Sequence, residues 1–146
     1  MVTEDDIRAR LWLYTQAMFL AVKGSPIKPN PHQLAICDAL ERVVLGKTKR
    51  LIINIPPRSG KTEIAVKMFI SWAMGVFPDA QFIHTSYSKR LATSNAYGVR
   101  ALMQHEYYQH LFPQTELEQG SAAKDDFRTT SGGIVYAVGA GGTITG

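Results

Sequence analysis

Apolar residues recur at helical spacing near the start of the chain. Ile7, Leu11, Tyr14 and Met18 predict a helix over residues 3–22. Thr3 and Asp6 have capping-box spacing, and the first turn is acidic. Three prolines and a glycine in "KGSPIKPNP" exclude a regular element there. A second stripe, Ile36, Ala39, Leu40 and Val43, predicts a helix over residues 32–45, stopped by Gly46. The pattern then changes. "RLIINI" (residues 50–55) is a continuous apolar, β-branched run that predicts a strand covered on both faces. "KTEIAVKMFISWAMG" is apolar almost all round and predicts a heavily buried helix ended by Gly75 and Pro78. "AQFIHTSY" (80–87) reads as a strand, and residues 88–104 as a helix with Ala92, Ala96, Val99 and Met103 inward. A further helical turn extends to Phe112, followed by a polar loop over 113–126. "FRTTSGGIVYAVGA" predicts a β-hairpin turning at Ser131-Gly132-Gly133, and the end is glycine-rich. This order predicts an α/β fold with a parallel sheet flanked by helices, preceded by N-terminal helical structure and closed by a hairpin.

Between the apolar run and the buried helix lies "IPPRSGKTE", whose Gly60-Lys61-Thr62 is the tail of a phosphate-binding loop. Such a loop aims successive backbone N–H groups into one concavity, backed by a helix N-terminus. A preceding strand and a following helix are the context that makes the short motif meaningful. Ile55 stands where such a loop usually has its first glycine, and Pro56 and Pro57 have no N–H to donate. Donation therefore has to begin at Arg58 and run through Ser59, Gly60, Lys61 and Thr62, with Glu63 following. In this reading Gly60 removes a Cβ from the phosphate approach. Lys61 reaches the β- and γ-phosphates of ATP, and the Thr62 hydroxyl takes Mg²⁺. Arg58 adds a second cation suited to bidentate phosphate contact.

Composition changes this picture little. The 146 residues are 45% hydrophobic and 19% charged, as expected for one globular unit able to bury a core. The net charge of +4 permits a polyanionic partner without requiring one. The single cysteine, Cys37, excludes an intrachain disulfide and sits in a helical apolar pattern, as a buried inert thiol would. No signal-peptide layout and no apolar run of membrane-spanning length occurs, which predicts a cytoplasmic protein with no membrane partner.

As a set, several segments resemble the large terminase subunits of tailed bacteriophages, the DNA-packaging motors. "IPPRSGKTE" is similar to that family's phosphate loop, which often lacks the first glycine and carries an arginine where Arg58 stands. "NPHQLAICDALERV" resembles the helix before the loop, whose His/Gln element, here His32 and Gln33, contacts adenine. "FIHTSYSKRLATSNAYGVRALMQHEYYQHLFP" and "GGIVYAVGAGGTITG" resemble the family's second strand and helix and its later glycine-rich strand. The resemblance covers about residues 29–146. It implies a P-loop NTPase fold of the RecA/ASCE type over residues 31–146, with residues 1–30 as a helix and Pro-rich linker. It implies an ATPase that uses ATP and Mg²⁺, with Lys61 and Arg58 as its catalytic cations. The implied work is pumping double-stranded DNA into a procapsid, as a homo-oligomeric ring on the portal protein, with a small terminase subunit selecting the DNA in the bacterial host cytoplasm.

The pattern departs from the family in one respect. No run of four apolar residues is followed by an acidic pair that could hold Mg²⁺ and activate water, and Asp125-Asp126 follow no strand. The family's nuclease carboxylates are absent too. The expectation is a partial ATPase domain that binds ATP and hydrolyses it poorly. The alternatives are a non-catalytic nucleotide-binding relic of a prophage gene and a piece of a helicase-like translocase. Arg128, in the hairpin, is a poor match to the family's trans-acting arginine.

Other residues have plainer readings. His105 and His110 in "HEYYQH" are i, i+5, about 140° apart on a helix, which suits no shared metal. Tyr107, Tyr108 and Phe112 are expected to pack against the sheet. Lys89, Arg90 and Arg100 could touch DNA phosphate or simply be solvated, and Ser88 reads as a helix cap. Glycines 139, 141, 142 and 146 either pass close to the nucleotide loop or make a turn.

Overall fold

The computed structural model describes residues 1–119 and 126–141. Helices α1 (Glu4–Ala9), α2 (Leu11–Lys23) and α3 (Pro31–Val44) come first. A π-helical segment, Glu63–Met68, runs directly into α4 (Phe69–Val76). Strand β1 (Gln81–Ser86), helices α5 (Lys89–Gln104) and α6 (Glu106–Leu111), and strands β2 (Asp126–Arg128) and β3 (Ile134–Gly139) complete it.

The capping box at Thr3 forms: its hydroxyl accepts from Asp6 N–H at 3.2 Å and Asp6 accepts from Thr3 N–H at 2.9 Å. The helix expected over 3–22 is nevertheless broken at Arg10, which is extended. Arg10 pairs with Glu41 and Asp38 on α3, while Glu41 also accepts from Leu11 N–H at 2.8 Å. A carboxylate from another helix thus caps α2, an arrangement with no local signature. Leu11, Tyr14 and Met18 are fully buried in the same core as α3, α4 and α5.

The sheet has the order β1-β3-β2. β1 and β3 are parallel, with Gln81 opposite Ile134 and Ser86 opposite Gly139. β2 and β3 form the expected antiparallel hairpin, Phe127 opposite Val135. Thr129 and Gly133 close its turn through backbone and side-chain hydrogen bonds. Gly133 is needed here, because a Cβ would run into the Pro78 carbonyl and lie 2.7 Å from the Thr129 hydroxyl. Phe82, His84, Val135 and Ala137 share the face covered by helices. Phe82 meets Phe69 edge-on at 6.1 Å.

Two expectations are corrected. Residues 50–55 form no strand: Leu51 and Ile52 are exposed, and only Ile53 and Ile55 lean on the core. No neighbouring strand pairs with this segment among the described residues, so its β-branched run has no ladder to join. Tyr108 and Phe112 pack around Tyr14, Ser71 and Gly75 rather than on the sheet. A helical cluster is the nearer apolar surface for α6.

Candidate phosphate-binding site

The chain leaves 51–55 through Pro56 and Pro57, turns, and enters helix at Lys61. Two residues of the turn are left-handed: Arg58 at φ 63° and Gly60 at φ 78°. For Gly60 this conformation carries no steric cost, and the space around a Cβ is open. For Arg58 it costs on the order of 1–2 kcal/mol. The Ser59 hydroxyl donates to the Pro56 carbonyl and closes the turn on itself. Gly60 C=O accepts the first helical bond, from Ile64 N–H at 3.1 Å.

The backbone N–H groups of Arg58, Ser59, Gly60, Lys61 and Thr62 meet no protein acceptor among the described residues. Five consecutive free donors at a helix start make an electropositive patch. The Lys61 side chain curls back until Nζ lies 3.5 Å from the Ile55 carbonyl, so its ammonium spans the loop. The side chains of Arg58 and Thr62 are exposed. Behind the loop, Ile64 and Met68 are buried, and Ile70 to Gly75 are buried without interruption, so the helix is anchored by its downstream half.

His32 and Gln33 part company. His32 Nε2 lies 3.4 Å from the Ser59 carbonyl, which places the ring beside the loop. The Gln33 carbonyl oxygen accepts from Asn30 N–H at 3.0 Å and caps α3. Glu63 pairs with Lys67 one turn on, at 3.3 Å. The π-helical geometry of Glu63–Met68 had no signature in the sequence; such insertions are frequent beside functional loops.

Most of the remaining candidates have structural roles. Lys89 Nζ donates to the Ala137 carbonyl at 2.8 Å, tying α5 to β3. Gly139 permits this approach, since a Cβ would stand 2.6 Å from Lys89 N. It therefore serves α5, not the nucleotide loop. Ser88 caps α5 by accepting from Leu91 N–H at 3.1 Å. Arg90 is exposed, whereas the Arg100 Nε is buried without a partner beside a cleft of about 670 Å³. His105 caps α6 through Nδ1, and His110 bonds Glu4 at 2.7 Å, so the two imidazoles have separate structural jobs. Burial pushes the Cys37 thiol up to about 12, which fits an inert core residue. Asp125, Gly142 and Gly146 lie outside the described residues.

Among the described residues no helix is long and apolar enough to cross a membrane, and no group of three His, Cys, Asp or Glu side chains could hold a metal. Comparison with protein-family models, curated proteins and solved structures finds no match to this chain.

Proposed function

We propose that this chain is the ATP-binding part of a DNA-packaging ATPase of the large-terminase type, with a P-loop NTPase fold. The observation that carries the nucleotide reading is the run of five unpartnered N–H groups from Arg58 to Thr62, with the Lys61 ammonium lying across them. The terminase reading adds the resemblance of the segments around it.

In this reading the phosphates of ATP rest on those N–H groups, which exchange water for fixed donors. Lys61 neutralises the β- and γ-phosphates, and Arg58 holds the outer phosphate. His32, held beside Ser59, faces the base side of the loop, while Gln33 chiefly fixes the start of α3. Mg²⁺ suits Thr62, an exposed residue at the helix start; when bound it would neutralise phosphate charge. The described residues offer that ion no carboxylate cluster. Binding without efficient turnover follows, because phosphoryl transfer needs a metal carboxylate and a water-positioning base. The partners proposed are double-stranded DNA, a portal protein, a small terminase subunit and further copies in a ring.

Calorimetry with Mg·ATP tests the reading. The chain should bind nucleotide, and Lys61→Ala should weaken binding about tenfold to a hundredfold, as expected for losing one charged hydrogen-bond donor. Unchanged affinity in that variant would refute the site. Turnover should stay near background; robust hydrolysis would overturn the assignment of a binding-only domain.

A further inference from the structure

The other concentration of positive charge lies at the far end of α3. Arg42, Lys47, Lys49 and Arg50 are all exposed. The chain folds tightly after α3: Gly46 is left-handed at φ 75°, and the N–H groups of Lys47 and Thr48 both donate to the Arg42 carbonyl, at 2.9 and 3.2 Å. Four cations are thereby gathered around one helix end.

The acids nearest in sequence are engaged elsewhere: Asp38, one turn before Arg42 on α3, pairs with Arg10. The sequence has no carboxylate between Glu41 and Glu63. Glu41 is committed to Arg10, and Glu63 to Lys67. Arg8 pairs with Glu4 and Asp5, and Arg10 with Asp38 and Glu41, whereas the exposed Arg58, Arg90 and Arg128 form no ion pair among the described residues either, so what sets the α3 end apart is four cations in one turn. Among the described residues Arg42, Lys47, Lys49 and Arg50 form no ion pair. Interaction with the α3 dipole accounts for Arg42 and Lys47, since that field fades beyond the last turn. It does not account for Lys49 and Arg50. The cluster is also separate from the phosphate loop: from His32, which touches the loop, to Val44 the helix rises about 18 Å.

We propose that this turn is a binding surface for the sugar–phosphate backbone of duplex DNA, made by Arg42, Lys47, Lys49 and Arg50. The choice of duplex DNA rests on the function proposed above; the position of the surface rests on the charge distribution. A duplex presents a charge about every 1.7 Å of its axis, so it can meet several of these cations at once and release counterions.

The test is fluorescence anisotropy of a short labelled duplex across a salt series, with nucleotide binding measured in parallel. The triple variant Lys47→Ala, Lys49→Ala, Arg50→Ala should flatten the slope of log K against log salt by about 2.7, at about 0.9 per lost contact. The charge-keeping variant Lys47→Arg, Lys49→Arg, Arg50→Lys should keep the slope, which a purely structural role of the turn would not predict. Lys23→Ala with Lys28→Ala should leave it unchanged. The proposal is overturned if the chain does not bind duplex, if the triple variant keeps the wild-type slope, or if the Lys23/Lys28 control flattens it equally. Nucleotide affinity should be the same in the triple variant. Salt-dependent duplex binding through the turn without any Mg·ATP binding would sink the nucleotide reading and leave this surface standing.

Discussion

Two apolar runs in this chain look alike on paper and end differently. "RLIINI" and "IVYAVG" are both short and rich in β-branched residues, although Asn54 interrupts the first. The second becomes β3, the central strand, with Val135 at 0% exposure and neighbours on both edges. The first stays irregular, with Ile52 84% exposed. The difference teaches that β-branched sequence supplies a side-chain surface, while a strand also needs a hydrogen-bonded neighbour. β3 has β1 and β2. Residues 50–55 have a helical core under one side only, so Ile53 and Ile55 settle on it while Leu51 and Ile52 face water.

The contrast is broken most strongly by charge. Val135→Asp should cost upwards of about 4 kcal/mol, because it buries an unpaired carboxylate, and the chain should not fold cooperatively. Ile52→Asp should change stability by less than about 0.5 kcal/mol, as for an exposed position. Urea titrations of the two variants measure this, and similar losses in both would mean that residues 50–55 are buried in solution.

A subtler pair compares the turns that follow or precede these runs. Gly133→Ala sets a Cβ against the Pro78 carbonyl and the Thr129 hydroxyl, and should cost about 1–3 kcal/mol as an overpacking change. Gly60→Ala meets no atom within 4 Å but keeps a left-handed φ, and should cost about 1 kcal/mol. Its larger effect should be on Mg·ATP affinity. A Gly60→Ala chain that binds nucleotide as well as wild type would detach the loop's conformation from its proposed use.

The smallest effect expected is on pH dependence through β1. Burial lowers the pKa of His84, whose Nε2 lies 3.0 Å from Asn95 Nδ2, so the fold favours neutral imidazole. A depressed folded pKa means that the unfolded chain takes up the proton first. This contribution is therefore complete above the unfolded value near 6.5 and is lost as pH falls through the folded value. Chemical denaturation between neutral and mildly acidic pH should show this loss in the wild type and a shallower one in His84→Gln. Equal slopes would assign the acid sensitivity elsewhere than to His84.

Much of the helical layer was legible. The Thr3 capping box, the stop at Gly46, the Ser88 cap and the inward stripe of α5 all rest on contacts within a few residues of one another. The hairpin was legible because Ser131-Gly132-Gly133 carries its turn chemistry locally. Of the candidate site, the order of its parts could be read: two residues without N–H, then donors, then a buried helix. The division of labour between His32 and Gln33 could not, because it depends on Asn30 capping geometry and on where Ser59 comes to rest.

By itself, then, the sequence determined most helix starts and stops, which faces are apolar, and that backbone donation in the loop starts at Arg58, since proline chemistry is local and fixed. The tertiary structure decided what distant partners decide. Glu41 breaks the first helix at Arg10, Ala137 engages Lys89, and the absence of a paired edge among the described residues keeps 50–55 from becoming a strand. In each case the deciding group lies far along the chain, and only folding brings it within hydrogen-bonding distance.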